Sequence, residues 1–133
     1  MAENTNSSIY VVDASYILAG LLPDEHSDEV DKIFGHFAMG EILFESTYLL
    51  PFEIANAISL AVRRKRIKSG QAEKFIESFL NWNIKLDGVQ FKEVLKVSLD
   101  KGITVYDASY LWLSRNKKVK LLTLDEKLQK LGK

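Results

Sequence analysis

Short, unbroken apolar runs alternate along the chain with stretches in which apolar residues recur every three or four positions, a pattern that predicts strands separated by helices. The first run, Ile9-Tyr10-Val11-Val12, is rich in β-branched residues and ends at Asp13, as a strand buried on both faces would. A helix to about Gly20 follows, then a loop over residues 23–27. Val30, Ile33, Phe34 and Phe37 next mark an amphipathic helix that Gly40 stops. Residues 42–50 read as a strand interrupted by Glu45 and Ser46. Pro51 then suits the first turn of a helix running to about Ile67, because its missing N–H would lack a partner there anyway. Phe52, Ala55, Ile58 or Ser59, and Val62 mark that helix's predicted core face. Another amphipathic helix carries Ala72, Phe75, Ile76, Phe79 and Leu80 into a short strand at Ile84-Lys85-Leu86. The pattern closes with a helix over 90–100 broken by Gly102, a helix over 104–116, a strand over 119–122 and a helix over 125–131. Strands and helices alternating at this spacing predict an α/β layer structure with a mostly parallel sheet. In such sheets the ligand crevice lies beyond the carboxyl ends of the strands.

Composition narrows the picture. With 133 residues, 47% of them hydrophobic, one domain over 9–133 behind a polar tail at 1–8 is expected, with no need of disulfides or zinc to fold. The absence of Cys removes thiol nucleophiles and Cys-based metal sites and is compatible with a reducing cytoplasm. No apolar run approaches the roughly 20 residues of a membrane span, so a cytoplasmic protein without membrane contact is expected. Eighteen basic and eighteen acidic residues balance, which argues against a broad, tail-like nucleic-acid binder.

Four acids fall at strand-to-helix junctions: Asp13 after the first strand, Glu53 two residues beyond Pro51, Asp107 in a helix's first turn and Asp125 after the last strand. Each has a structural reading. Asp13 could cap a helix, Glu53 could favour a helix N-terminus, and Thr104 with Asp107 and Thr123 with Glu126 both resemble capping boxes. A parallel sheet, however, gathers several strand ends at one edge. Two ionised carboxylates about 4 Å apart repel by roughly 4 kcal/mol at an effective dielectric of 20, so such a cluster needs protons or a cation. All-oxygen donors favour Mg²⁺, with Mn²⁺ as a substitute, and carboxylate-held Mg²⁺ suits phosphoryl chemistry.

Four segments carry a family pattern: Val12-Asp13-Ala14-Ser15, Pro51-Phe52-Glu53-Ile54-Ala55-Asn56, Val105-Tyr106-Asp107-Ala108-Ser109-Tyr110-Leu111 and Leu122-Thr123-Leu124-Asp125. Their order and spacing resemble a PIN-domain nuclease, and most closely a VapC-type toxin of a toxin-antitoxin pair. The resemblance implies a three-layer α/β/α fold and an Mg²⁺-dependent endoribonuclease. It maps the metal ligands onto Asp13, Glu53 and Asp107, with Asp125 as a fourth, more variable acid. Ser15, Asn56 and Thr123 fall in supporting positions, and a metal-activated water would attack the phosphodiester in line. It further implies an RNA substrate, a homodimer and a cognate antitoxin, for which the apolar positions of the helices after Val30 and Ala72 are candidate surfaces, unless they are core.

Other features have competing readings. The Arg63-Arg64-Lys65-Arg66 cluster could contact RNA about 16 Å along the helix from Glu53, or simply complement the helix dipole. Phe75, Phe79 and Trp82 suit packing better than base stacking, Tyr106 and Tyr110 flank the acids but also suit the core, and His26 and His36 take no catalytic role. A haloacid-dehalogenase phosphatase would need an acid where Ser15 stands, a response-regulator receiver would need adjacent acids after the first strand, and no Gly-rich Lys-Ser/Thr loop is present. A catalytically inactive module acting through protein partners is the alternative function.

Overall fold

The structure is a computed structural model that describes residues 8–132. Four parallel strands, β1 (Ser8–Val12), β2 (Ile42–Thr47), β3 (Lys85–Asp87) and β4 (Leu121–Leu122), form one sheet in the order β3-β2-β1-β4. Seven α-helices lie among the described residues: α1 (Ala14–Leu21), α2 (Asp28–Ala38), α3 (Leu50–Arg63), α4 (Ser69–Asn81), α5 (Phe91–Lys101), α6 (Val105–Lys117) and α7 (Glu126–Leu131). The expected tail lies outside the described residues except for Ser8, which opens β1 and pairs with Ile42. No helix among the described residues is long and apolar enough to cross a membrane.

Alternation along β1 sends Val12 to one face of the sheet and Val11 to the other. Val12 and Phe44 pack with α1 to α4, while Val11 and Leu121 pack with α5 to α7, giving three layers and a core on each face of the sheet. On the first face Phe34 is the hub of an aromatic cluster, with Phe44 at 5.4 Å and Trp82 at 5.1 Å between ring centroids. Ile33, Phe34 and Phe37 of α2 and Ala72, Phe75 and Ile76 of α4 pack on that core. Most of the apolar positions on the two stretches offered as partner surfaces thus pack partly against the core, while Leu80 of α4 stays 57% exposed. Gly20 sits inside α1 because the Phe34 ring lies against it: a Cβ there would be 2.3 Å from a ring carbon.

Several boundaries move. Helix α3 ends at Arg63, with Arg64 as C-cap and Lys65 at φ +60°, rather than at Ile67. Its buried stripe is Leu50, Ile54, Ile58 and Ala61, which shares Ile58 with the expected core face but leaves out Phe52, 76% exposed, and the exposed Ala55. Two adjacent stripes satisfied the helical period, and only the sheet's position chose between them. The strand expected to run to residue 50 stops at Thr47, the third strand is shifted one residue on, and β4 keeps only two of its four residues.

The polar interruption of β2 has a tertiary cause. The Ser46 hydroxyl donates to the Val12 carbonyl at 2.6 Å, which stitches β2 to β1. Glu45, 7% exposed, takes an ion pair from Lys117 Nζ at 2.8 Å, and Asp87 lies 3.6 Å from the same nitrogen. Lys117 stands in the last turn of α6, 72 residues from Glu45 by the numbering, so no local pattern reveals the pair.

Candidate active site

The carboxyl ends of β1 and β4 are neighbours, and each is followed at once by a helix. Asp13 leaves β1 in extended conformation and caps α1, its Oδ1 accepting from the Tyr16 N–H at 3.1 Å. The Ser15 hydroxyl donates to the same oxygen at 2.7 Å, and the Thr123 hydroxyl donates to Oδ2 at 2.5 Å. Both of these hydroxyls also accept backbone bonds, Ser15 from the Leu124 N–H of the opposite junction at 2.9 Å and Thr123 from the Asp125 N–H of its own junction at 3.0 Å. A small lattice of hydroxyls thus locks the β1–α1 turn to the β4–α7 turn around one carboxylate.

Asp125, not Thr123, is the N-cap of α7, accepting from the Leu128 N–H at 2.9 Å. The capping box expected from Thr123 and Glu126 does not form, because Thr123 is buried and its hydroxyl is committed to Asp13. The Thr104 cap is as expected: its hydroxyl accepts from the Asp107 N–H at 3.0 Å, which opens α6 with Asp107 in the first turn. Glu53 occupies the first turn of α3, half-buried, and its Oε1 accepts from the Tyr110 hydroxyl at 2.6 Å.

Electrostatics tie the four acids into one group. Burial pushes the Asp13 carboxyl above its ordinary range against the bonds from Thr123, Ser15 and Tyr16, and Asp107 raises it further. Glu53 is raised by burial, then by Asp107 and Asp13, with the Tyr110 hydrogen bond opposing. Asp107 is raised by burial and by Asp125, with Thr104 and Lys127 opposing. Among the described residues every hydrogen-bond donor to Asp13 is neutral, so that carboxylate has no bonded cation there.

The donor set answers whether a cation fits. Raised, mutually repelling carboxylates with oxygen-only donors match a hard dication. Among the described residues no three or more carboxylates or histidines stand close enough together to hold one metal ion in common. Magnesium does not require three, since it usually keeps several waters and takes one or two carboxylates.

The remaining candidates divide. Asn56 stands exposed one turn beyond Glu53 and makes no side-chain hydrogen bond among the described residues. Arg66 is engaged away from the acids, its guanidinium bonding Asp24 at 2.7 Å and Glu25 at 2.9 Å, whereas Arg63, Arg64 and Lys65 are exposed. Phe75, Phe79 and Trp82 belong to the core, and His26 and His36 pair with Asp31 and Glu41 on the surface. Tyr110 is the group whose link to the acids the sequence left undecided. Its place one turn after Asp107 put it on the correct helix, but not which neighbour its hydroxyl would meet.

No family model matches the chain. Two curated proteins of Pyrobaculum aerophilum do. Ribonuclease VapC3 is 32% identical over 122 residues, covering 89% of this chain and 90% of that protein. Exonuclease VapC9 is 31% identical over 121 residues, covering 90% of this chain and 82% of that protein. Among solved structures, PAE2754 from Pyrobaculum aerophilum superposes with a TM-score of 0.77 at 24% identity, covering 96% of this chain and 83% of that one, a likeness of fold.

Proposed function

The chain belongs to the VapC nuclease family, and on that premise we propose that it is an Mg²⁺-dependent endoribonuclease, the toxin of a cytoplasmic toxin-antitoxin pair. The observation that carries the reading is the electrostatic group formed by Asp13, Glu53, Asp107 and Asp125: three of the four carboxyls are raised by burial and by one another. Asp13, Glu53 and Asp107 would between them hold one or two Mg²⁺ or Mn²⁺, each keeping several waters, with Asp125 as the more variable fourth acid. When bound, the dication supplies a Lewis acid that offsets charge on the phosphodiester and lowers the pKa of water. Ser15 and Thr123 keep both Asp13 oxygens oriented, and orientation of this kind commonly sets ligand strength. Asn56, exposed beside Glu53, is available to an RNA phosphate oxygen.

The partners are RNA, a cognate antitoxin and a second copy of the chain. For the dimer, support comes from an exposed apolar stripe on α5. Phe91, Leu95 and Leu99 recur on one side of α5 and are 75%, 51% and 74% exposed. Phe91 adjoins Phe52, Tyr48 and Tyr106 around a groove of about 410 Å³. Lys92 and Lys96 stand on the same helix as Glu93 and Asp100, so a two-fold copy can bring opposite charges together at the rim.

The relatives are named as a ribonuclease and an exonuclease, so the test uses a closed circular RNA, which only an endonuclease can cut, with Mg²⁺ and with EDTA. Cutting of the circle that needs Mg²⁺ and is lost on the order of 100-fold in Asp13→Asn, Glu53→Gln and Asp107→Asn variants is expected. Cutting that persists in EDTA or in all three variants overturns the mechanism, and degradation of linear RNA alone overturns the endonuclease.

A further inference from the structure

We propose that Tyr110 is the positioning residue for Glu53, a reading that rests on the functional assignment above. The four acids are not held alike. Asp13 is fixed by a backbone N–H and two hydroxyls shared between its oxygens, and Asp125 by its own helix cap. Glu53 reaches the site on a longer side chain, with more rotamer freedom to lose when it is held in one place. Among the described residues its side chain has one hydrogen bond, the 2.6 Å contact from the Tyr110 hydroxyl to Oε1.

Tyr110 is suited to hold it. The ring is 1% exposed and packs in the core with Val11, Val94 and Leu113, so the hydroxyl is held by the interior of the protein rather than by a mobile surface chain. Tyr110 also follows Asp107 by one turn on α6. One rigid helix therefore carries an acid of the site and the tether for another that arrives from α3. The tether occupies one carboxylate oxygen and leaves Oε2 without a side-chain partner among the described residues. The competing reading is that Glu53 merely satisfies a buried hydroxyl, which needs an acceptor wherever it lies.

Tyr110→Phe keeps the ring and removes only the tether. The measurements are Mg²⁺ binding by calorimetry without RNA, and kcat and KM for RNA cleavage. Both are made on the parent and on Tyr110→Phe, with the binding measurement repeated on Glu53→Gln and the double variant. The expected result is Mg²⁺ binding and kcat weakened roughly 10- to 100-fold by Tyr110→Phe, with KM for RNA little changed. In the Glu53→Gln background the same substitution should cost Mg²⁺ binding nothing further. Tyr110→Leu, which also removes the hydroxyl and suits an apolar core, should reproduce the loss and carries the test if Tyr110→Phe does not fold. Unchanged Mg²⁺ binding and kcat in Tyr110→Phe, or an equal loss of binding with and without Glu53, overturns the assignment while leaving the nuclease intact. A parent protein without Mg²⁺-stimulated cleavage overturns both.

Discussion

Thr123 donates its hydroxyl hydrogen to Asp13 across 110 positions of sequence, and the same oxygen accepts the Asp125 N–H. One buried hydroxyl thereby links the ends of β1 and β4 and fixes the first acid. Thr123→Val keeps the shape and removes the donor. A stability loss of about 1–3 kcal/mol is expected from the buried oxygen and N–H left without partners. Cleavage should fall roughly 10- to 100-fold, and Ser15→Ala should lower it in the same direction. Urea unfolding and cleavage rates check both.

The raised carboxyls of Asp13, Glu53 and Asp107 set a sign for pH dependence. A carboxyl raised in the folded state contributes stability below its unfolded pKa, which is lost as pH rises through the folded value. Without metal, Asp107→Asn should therefore gain stability relative to the parent as pH climbs from the ordinary aspartate value of 3.8 toward neutrality. Added Mg²⁺ should narrow that gap by stabilising the parent. Thermal unfolding of both proteins across pH, with and without Mg²⁺, measures it. A gap that stays constant with pH would count against the raised value.

Lys117 offers a change away from the acids. Burial pushes Glu45 up, but the Lys117 ammonium, together with a hydrogen bond shared with Asp87 and the charge of Lys85, more than offsets this and holds the carboxyl below its ordinary range. That lowered value contributes stability above pH 4.5, lost as pH falls through the folded value. Lys117→Met should leave Glu45 buried without its cation and cost up to about 3 kcal/mol at neutral pH, less in acid. Denaturant midpoints at two pH values would show the difference.

Gly20→Ala inserts a methyl where the Phe34 ring already stands. Overpacking of this kind costs roughly 1–3 kcal/mol, and Phe34→Leu in the same chain should recover part of it. A double-mutant cycle on Tm checks the coupling.

Leu95→Lys puts a charge in the middle of the exposed stripe of α5 without touching the core. Sedimentation should show the parent as a dimer and the variant as a monomer at the same concentration, with the monomer's melting curve otherwise two-state. A parent that sediments as a monomer would defeat the dimer reading.

The sequence by itself determined the α/β alternation, the parallel sheet and the junction positions of Asp13, Glu53, Asp107 and Asp125, because periodicity, capping residues and glycine stops are local and act within a few residues. It was also enough to show the family resemblance, since order and spacing of short motifs survive without any contact being known. The tertiary structure decided what lies across the chain. It chose the Leu50-Ile54-Ile58-Ala61 stripe of α3 over the one that begins at Phe52 and packed most of the α2 and α4 apolar positions partly against the core. It gave the cap of α7 to Asp125 by drawing Thr123 to Asp13, and it brought Lys117 to Glu45 and Tyr110 to Glu53. Each of these is a contact between groups far apart in sequence. A hydroxyl or an ammonium carries no local sign of the partner that folding will bring within 3 Å.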